Sequence, residues 1–195
     1  MNMTIRPETP ADHCAVERLT WAAFETMSLP GRTHTNEHYL AHILRDAAAY
    51  VPALDFVGEV EGQIVANIMY SKSKIIRPYG EATDTLTFGP VSVQPALHRQ
   101  GLGAQLIAHS LDKARSLGYG AVIIMGHPAY YARFGFVPAS QYKLSLSNGE
   151  AFAAFMALEL MPGYLGMEGG VWMEDPIFDV DPAAFAAWHS TFQAP

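Results

Sequence analysis

Val91-Ser92-Val93-Gln94-Pro95-Ala96-Leu97-His98-Arg99-Gln100-Gly101-Leu102-Gly103-Ala104 is the stretch on which the reading of this chain turns. It opens with β-branched residues suited to a strand and passes through Pro95. It ends where the stripe Leu102, Leu106, Leu111 and Leu117 predicts a helix that Gly118 stops. The glycines therefore stand at a helix N-terminus. Amides there have no helical acceptor and carry the positive end of the helix dipole, and a neighbouring glycine lets a phosphate approach the backbone closely. These residues predict a pyrophosphate cradle.

Spacing separates the ligand classes that use such cradles. A P-loop requires Lys followed by Ser or Thr after its last glycine, whereas Ala104 and Gln105 follow Gly103. A dinucleotide fingerprint requires glycine or alanine at position 106 and an acidic residue about 20 positions on. Position 106 is Leu, and Ala121 to Met125 contains no carboxylate.

On the N-terminal side, Thr4-Ile5-Arg6 reads as a short edge strand. Thr9-Pro10 supplies an N-cap and first helical position for a helix to about Phe24. A loop containing Pro30 and Gly31 precedes a second predicted helix, Thr35 to Ala49, with Tyr39, Ile43 and Ala47 at four-residue spacing and Pro52 marking its end. Phe56-Val57, the turn Glu61-Gly62 and the run Ile64 to Ile76 predict a hairpin. Arg77 to Gly80 turns the chain into a third long strand, Thr83 to Val93. Gly89-Pro90 interrupts that strand and argues for a bulge or a sheet edge.

On the C-terminal side, Ala121 to Met125 reads as a central strand covered on both faces. A short helix, Pro128 to Phe134, and an extended segment from Gly135-Phe136 follow. After the turn Asn148-Gly149, Ala153 to Leu160 fits a strand or a helix. Asp181-Pro182 starts a last helix carrying Phe185, Trp188 and Phe192. This order predicts an α/β (α+β) fold with a mixed, mainly antiparallel central sheet flanked by helices. Residues 1–160 form its domain, and 161–195 an extension packing on the same domain.

The chain has 195 residues, 50% hydrophobic and 16% charged, enough for one globular domain with a sizeable core. It has no apolar run of roughly 18 residues and no basic-then-apolar start, so neither membrane nor export is expected and the location is read as cytoplasmic. The single cysteine, Cys14, cannot close an intramolecular disulfide and reads as a small buried hydrophobe on the first helix. A formal charge of −7 without clustered Lys and Arg disfavours nucleic acid and suits a cationic amine slightly better. No metal is expected.

His98-Arg99-Gln100-Gly101-Leu102-Gly103 resembles the (Gln/Arg)-x-x-Gly-x-(Gly/Ala) acetyl-CoA signature of the GNAT superfamily, with His98 in place of the usual Gln or Arg. Tyr131-Ala132-Arg133-Phe134-Gly135-Phe136 resembles its Tyr-x-x-x-Gly-Phe segment. Gly126 to Tyr131, and Phe155 to Leu160 with Pro162-Gly163, look like the YhbS-like branch. The resemblance covers roughly residues 3 to 178. It implies an enzyme that moves an acetyl group from acetyl-CoA directly to a primary amine, with pantetheine between splayed fourth and fifth strands. The backbone of Val91, Ser92 and Val93 would pair with that arm, and an N–H there would stabilise the oxyanion. The loop His98, Arg99, Gln100, Gly101, Leu102, Gly103 and Ala104 would take the pyrophosphate, chiefly through the amides from Arg99 onward. Tyr131 carries over as the group that protonates or hydrogen-bonds the departing thiolate.

Other roles stay open in the sequence. Tyr130 reads as core or cofactor-lining. His127 contacts a ligand or caps the short helix. The amine's proton goes to a water relay or to Asp84, Glu81 or Glu59 at strand ends. In this superfamily acceptor-facing residues come largely from the first two helices and the terminal segments, here about Phe24 to Tyr50 and the tail. Two other readings compete. One is a non-catalytic acyl-CoA sensor. The other is an interaction domain in which Trp172, Trp188 and Phe192 form a homodimer seam or simply cover the core.

Overall fold

The computed structural model describes residues 2–25, 35–192 and 194; the loop expected around Pro30 and Gly31 lies outside them. The chain forms two compact units. One comprises Met1–Tyr70, Gly89–Ser110 and Pro176–Pro195, the other Ser71–Phe88 and Leu111–Asp175.

The first unit opens with β1 (Thr4–Pro7) and a 3₁₀ turn over Pro10–Asp12 that runs into α1 (His13–Glu25). The Thr9 amide and hydroxyl both donate to Asp12 Oδ2, at 2.8 and 2.7 Å, fixing the helix entry. α1 buries Val16, Leu19, Thr20 and Ala23. Cys14 lies on the opposite face and is exposed, which corrects its reading as a core residue: at 100° per residue it cannot share the stripe of Val16, Ala23 and Thr20.

α2 (Glu37–Leu44) ends five residues earlier than expected. The Asp46 and Ala47 amides bond back to Ile43 and Leu44, three residues away, so the chain tightens into turns. Its buried face is His38, Leu40, Ala41 and Leu44, one step round from the expected stripe, which is only half-buried. The next residue, Arg45, is drawn into a buried network, donating to Glu8 Oε1 at 2.6 Å and to Glu17 Oε1 at 3.1 Å. Tyr50 donates to Asp55 in the same region.

β2 (Phe56–Val60) pairs antiparallel with β1 and with β3 (Gln63–Ile76) across the Glu61-Gly62 turn, where both φ angles are positive. Pro176–Phe178 and α5 (Pro182–His189) complete this unit. The Asp181 carboxylate caps α5 by accepting from Ala183 N–H at 2.9 Å. The helix stops before Phe192, yet Phe185, Trp188 and Phe192 all turn inward, Trp188 against Tyr39 and Phe192 against His38.

The second unit holds the end of β3 and the start of β4 (Ala82–Val93), followed in the chain by α3 (Leu102–Ser116), whose last turns belong here. Within β4 the Gly89-Pro90 pair does not break the strand; its peptide bond is cis. α3 buries Leu102, Leu106, Ile107, Ser110, Leu111 and Ala114, whereas Leu117, beyond its last turn, is 44% exposed and leaves the predicted stripe. β5 (Ala121–Met125) meets β4 in parallel at one register pair, Leu86 opposite Val122. The fourth and fifth strands thus splay after a single bridge.

β8 (Phe155–Glu159), the segment that fitted strand or helix, pairs antiparallel with β5 and with β6 (Val137–Pro138). β9 (Gly170–Met173) pairs antiparallel with β3 and in parallel with β7 (Leu144–Ser145). The core here is Ile75, Ala121, Ile123, Phe155, Ala157, Leu165 and Trp172, so Trp172 belongs to the interior. The result is a mixed, mainly antiparallel sheet flanked by helices. Among the described residues no helix is long and apolar enough to cross a membrane.

Candidate functional site

The cradle residues lie in the first unit. Val91 and Val93 are half-buried, while Ser92 turns inward and donates from Oγ to Thr20 Oγ1 at 3.1 Å. Ser92 thus has only its backbone to offer a ligand. A 3₁₀ turn over Pro95–Leu97 carries the chain to an exposed loop, His98 to Gly101. Arg99 and Gly101 adopt φ of 63° and 84°, reversing the backbone so that α3 starts abruptly. The first helical hydrogen bond is Gln105 N–H to Gly101 C=O at 3.0 Å, which leaves the amides of Gly101, Leu102, Gly103 and Ala104 without helical acceptors.

A Cβ at Gly101 would meet nothing within 4 Å. The space beside these amides is open, and α3 is 15 residues long, so its dipole is developed. This loop fits a pyrophosphate. The Leu102 side chain is 2% exposed and anchors the loop in the core. His98 bends back, placing Nε2 2.8 Å from the Val93 carbonyl oxygen. Where the superfamily has Gln or Arg, this chain thus has a ring that ties the loop to the end of β4.

Tyr131 lies in the second unit, at the end of α4 (Pro128–Tyr131). Its ring packs among Phe88, Tyr130 and Phe136, with centroids at 5.9, 5.1 and 5.8 Å. It also packs against Gly126, where an added Cβ would overlap the ring carbons. Burial pushes the phenol up to about 12. The hydroxyl has no hydrogen-bond partner among the described residues. A donor on a half-buried ring held among aromatic side chains, protonated over the whole physiological range, is available to any acceptor placed before it.

Tyr130 is half-buried, with the Arg133 guanidinium 4.7 Å from its ring centroid. His127 occupies the N-cap position, but its carbonyl does the capping, accepting from the Tyr130 and Tyr131 amides at 2.9 and 3.1 Å. Its side chain is exposed and makes no capping bond. Glu59 pairs with Arg6 at 3.1 Å, while Asp84 and Glu81 are exposed.

The sequence reading passed over three features at the end of β5. Gly126 backs the Tyr131 ring, a role that no glycine spacing announces. Glu174 follows β9 directly and lines a hollow of about 300 Å³ with Met125, Leu146, Ser147, Asn148, Trp172 and Met173. The Trp172 indole N–H is buried with no hydrogen-bond partner. The available signal was Gly169-Gly170 followed by Val171-Trp172-Met173, a short strand signature ending in an acid.

Comparison with known proteins identifies the family. The model of the Acetyltransferase (GNAT) family matches residues 15–136. An N-acetyltransferase of Escherichia coli K12, YhbS, whose own role is uncharacterised, is 31% identical over 142 residues, covering 73% of this chain and 78% of that one. The crystal structure of E. coli YhbS in complex with CoA superposes with a TM-score of 0.79 at 27% identity, over 92% of this chain and 93% of that one. A GNAT acetyltransferase of Brucella melitensis in complex with acetyl-CoA gives 0.71 at 29% identity, over 91% and 99%. The strand-to-helix turn and the half-buried tyrosine thus occur in a chain that belongs to the GNAT family of acetyltransferases.

Proposed function

We propose that this N-acetyltransferase binds acetyl-CoA at the β4–α3 loop and transfers the acetyl group to a primary amine, with Tyr131 assisting departure of the thiol. The observation that carries the reading is the run of acceptor-free amides at the start of α3, opened by the positive φ of Gly101. Relatives solved with CoA and acetyl-CoA support the choice of donor.

When bound, acetyl-CoA supplies an activated acyl thioester. The amides of Arg99 to Ala104 hold its pyrophosphate, where fixed N–H groups at a helix start stabilise negative charge without reorganising. The backbone of Val91 to Val93 orients the pantetheine arm as an added strand, and one N–H there faces the carbonyl oxygen as negative charge grows on it. Tyr131 donates to the leaving sulfur. A phenol at about 12 lies roughly 3.5 units above a free thiol, so full transfer is uphill by about 5 kcal/mol. Tyr131 therefore acts first as a hydrogen-bond donor, and its proton moves only as the amine nitrogen gives up its own.

The test is calorimetric titration of the purified protein with acetyl-CoA, followed by amine-dependent thiol release. Micromolar binding with turnover supports the reading. Binding without turnover on any amine indicates an acyl-CoA sensor, and absence of binding overturns the cofactor assignment.

A further inference from the structure

A chain of buried hydroxyl and amide groups ties α1 to the strand proposed to hold the donor. On the buried face of α1, beside the apolar Val16, Leu19 and Ala23, stands Thr20, which is 0% exposed. Its hydroxyl accepts from Ser92 Oγ at 3.1 Å and donates to Asn67 Oδ1 at 3.3 Å. Ser92 on β4 and Asn67 on β3 are 1% and 0% exposed. Stability alone does not account for this chain. It leaves Asn67 Nδ2 buried without a hydrogen-bond partner, an omission that works against the fold. What directional hydrogen bonds add over apolar contacts is a fixed distance and angle between the groups they join.

Ser92 stands between Val91 and Val93, whose backbone groups face a free edge. The Gln94 N–H donates to the Val65 carbonyl oxygen of β3 at 2.8 Å, and backbone groups alternate edges along a strand, so those of Val91 and Val93 face away from β3. The Val93 carbonyl does so, meeting the exposed His98 ring at 2.8 Å. On that edge β4 has the single register pair Leu86 opposite Val122, and beyond it no strand partner among the described residues. Side chains stand perpendicular to the sheet, so Thr20 pins the strand from its face, midway between the two residues that turn to the open edge.

We infer that Thr20 is a positioning residue for the acyl donor: through Ser92 its hydroxyl holds the Val91–Val93 edge in line for the pantetheine arm, without touching the ligand. The inference rests on the acetyl-CoA reading above. A ligand added as a strand needs its N–H and C=O partners aligned together, and hydrogen bonds weaken steeply when the donor tilts. Without the Thr20 hydroxyl, the Ser92 donor and the Asn67 acceptor are left unmatched in the core, and Ser92 shifts β4 as it turns to another partner. The amides at the start of α3 are set by their own helix and by the buried Leu102 side chain, so they stay in place. The arm and the pyrophosphate therefore respond differently to the same substitution.

The experiment uses the whole chain and two probes: acetyl-CoA, read by calorimetry, and ADP, which offers the cradle a pyrophosphate without a pantetheine arm, read by NMR titration that reaches millimolar affinities. Thr20→Val, close in shape but lacking the hydroxyl, should weaken acetyl-CoA binding about tenfold and ADP binding by less than about twofold. Thr20→Ser restores the donor and acceptor and should return acetyl-CoA affinity to within about twofold of wild type. Ser92→Ala cuts the same chain from β4 and should give the same split, and the double variant should lose no more than either single one. If Thr20→Val does not fold, Ser92→Ala carries the comparison. Folded variants that bind acetyl-CoA like wild type, or that weaken both probes equally, overturn the positioning role and leave the cofactor site standing. A wild type that does not bind acetyl-CoA removes the reading beneath it.

Discussion

The cradle at residues 98–104 and the end of β5 differ in what they are made of. The first presents backbone: its N–H groups are set by a helix start and by φ at two residues, and its side chains point to solvent or, as with Leu102, into the core. The second presents side chains brought from four separated segments, at 125–126, 131, 146–148 and 172–174. A backbone site tolerates exchange of its side chains but not the entry of bulk or negative charge. A side-chain site fails atom by atom.

The largest expected effect tests the backbone side of that contrast. Gly103→Glu puts a carboxylate among the amides proposed to hold phosphate, and like charges so close cost several kcal/mol. Acetyl-CoA affinity should fall by at least about a hundredfold in calorimetry. The protein itself should remain folded, because an acid in the first turn of α3 favours the helix dipole; an unchanged melting temperature checks this. Retained affinity would move the phosphate site elsewhere.

Next come changes confined to the end of β5. Tyr131→Phe keeps the ring against Gly126, Phe88 and Phe136 and deletes only a hydroxyl with no hydrogen-bond partner among the described residues. Stability and acetyl-CoA affinity should hold, while kcat falls by about a hundredfold, the size of losing one donor to developing charge. Gly126→Ala should displace the same ring and cost about tenfold in kcat. If Tyr131→Phe keeps full activity, the tyrosine is packing alone.

What the sequence revealed follows the same division. The strand-to-helix turn at 91–104 was legible in a window of fourteen residues because glycine placement and helix onset encode backbone geometry locally. The first five strands and the last helix were legible from β-branched runs, turn dipeptides and Asp181-Pro182, whereas β8 stayed open between strand and helix and β9 was missed. The end of α2 was not, because Arg45 leaves the helix for carboxylates at positions 8 and 17, partners that no local pattern reveals. Cys14 was misread because neighbours in sequence are not neighbours on a helix face. The hollow lined by Glu174 escaped because its other walls, Met125 and Ser147 among them, are distant in the chain.

The buried network around Arg45 marks a third kind of polar site, and its titration separates it from the other two. Burial and the facing Glu8 carboxyl push Asp55 up to about 9, whereas the Arg6 guanidinium holds Asp12 well below the usual carboxylate range. Between about pH 4 and about pH 9 the folded chain therefore keeps a proton on Asp55 that the unfolded chain has released. Stability from this group falls as pH rises through that window. Asp55→Asn, which preserves an acceptor for the Tyr50 hydroxyl, should flatten that fall and melt higher than wild type at pH 8. A variant that melts lower at pH 8 would show Asp55 ionised and paired with Arg45. For Asp12 the sign reverses, its contribution being lost only on acidification.

The smallest effect belongs to His98, where the two materials meet, since a side chain there braces a backbone site. Its ring is exposed, and one neutral hydrogen bond to Val93 contributes about 1 kcal/mol. His98→Ala should leave the melting temperature nearly unchanged and weaken acetyl-CoA binding by less than about tenfold, because the α3 amides persist and only the bracing of the loop is lost. A carbonyl has two lone pairs, so the Val93 oxygen can keep His98 and still accept from a ligand amide. Tighter binding in the variant would mean that the ring competes for that oxygen, making His98 an obstacle to the pantetheine arm.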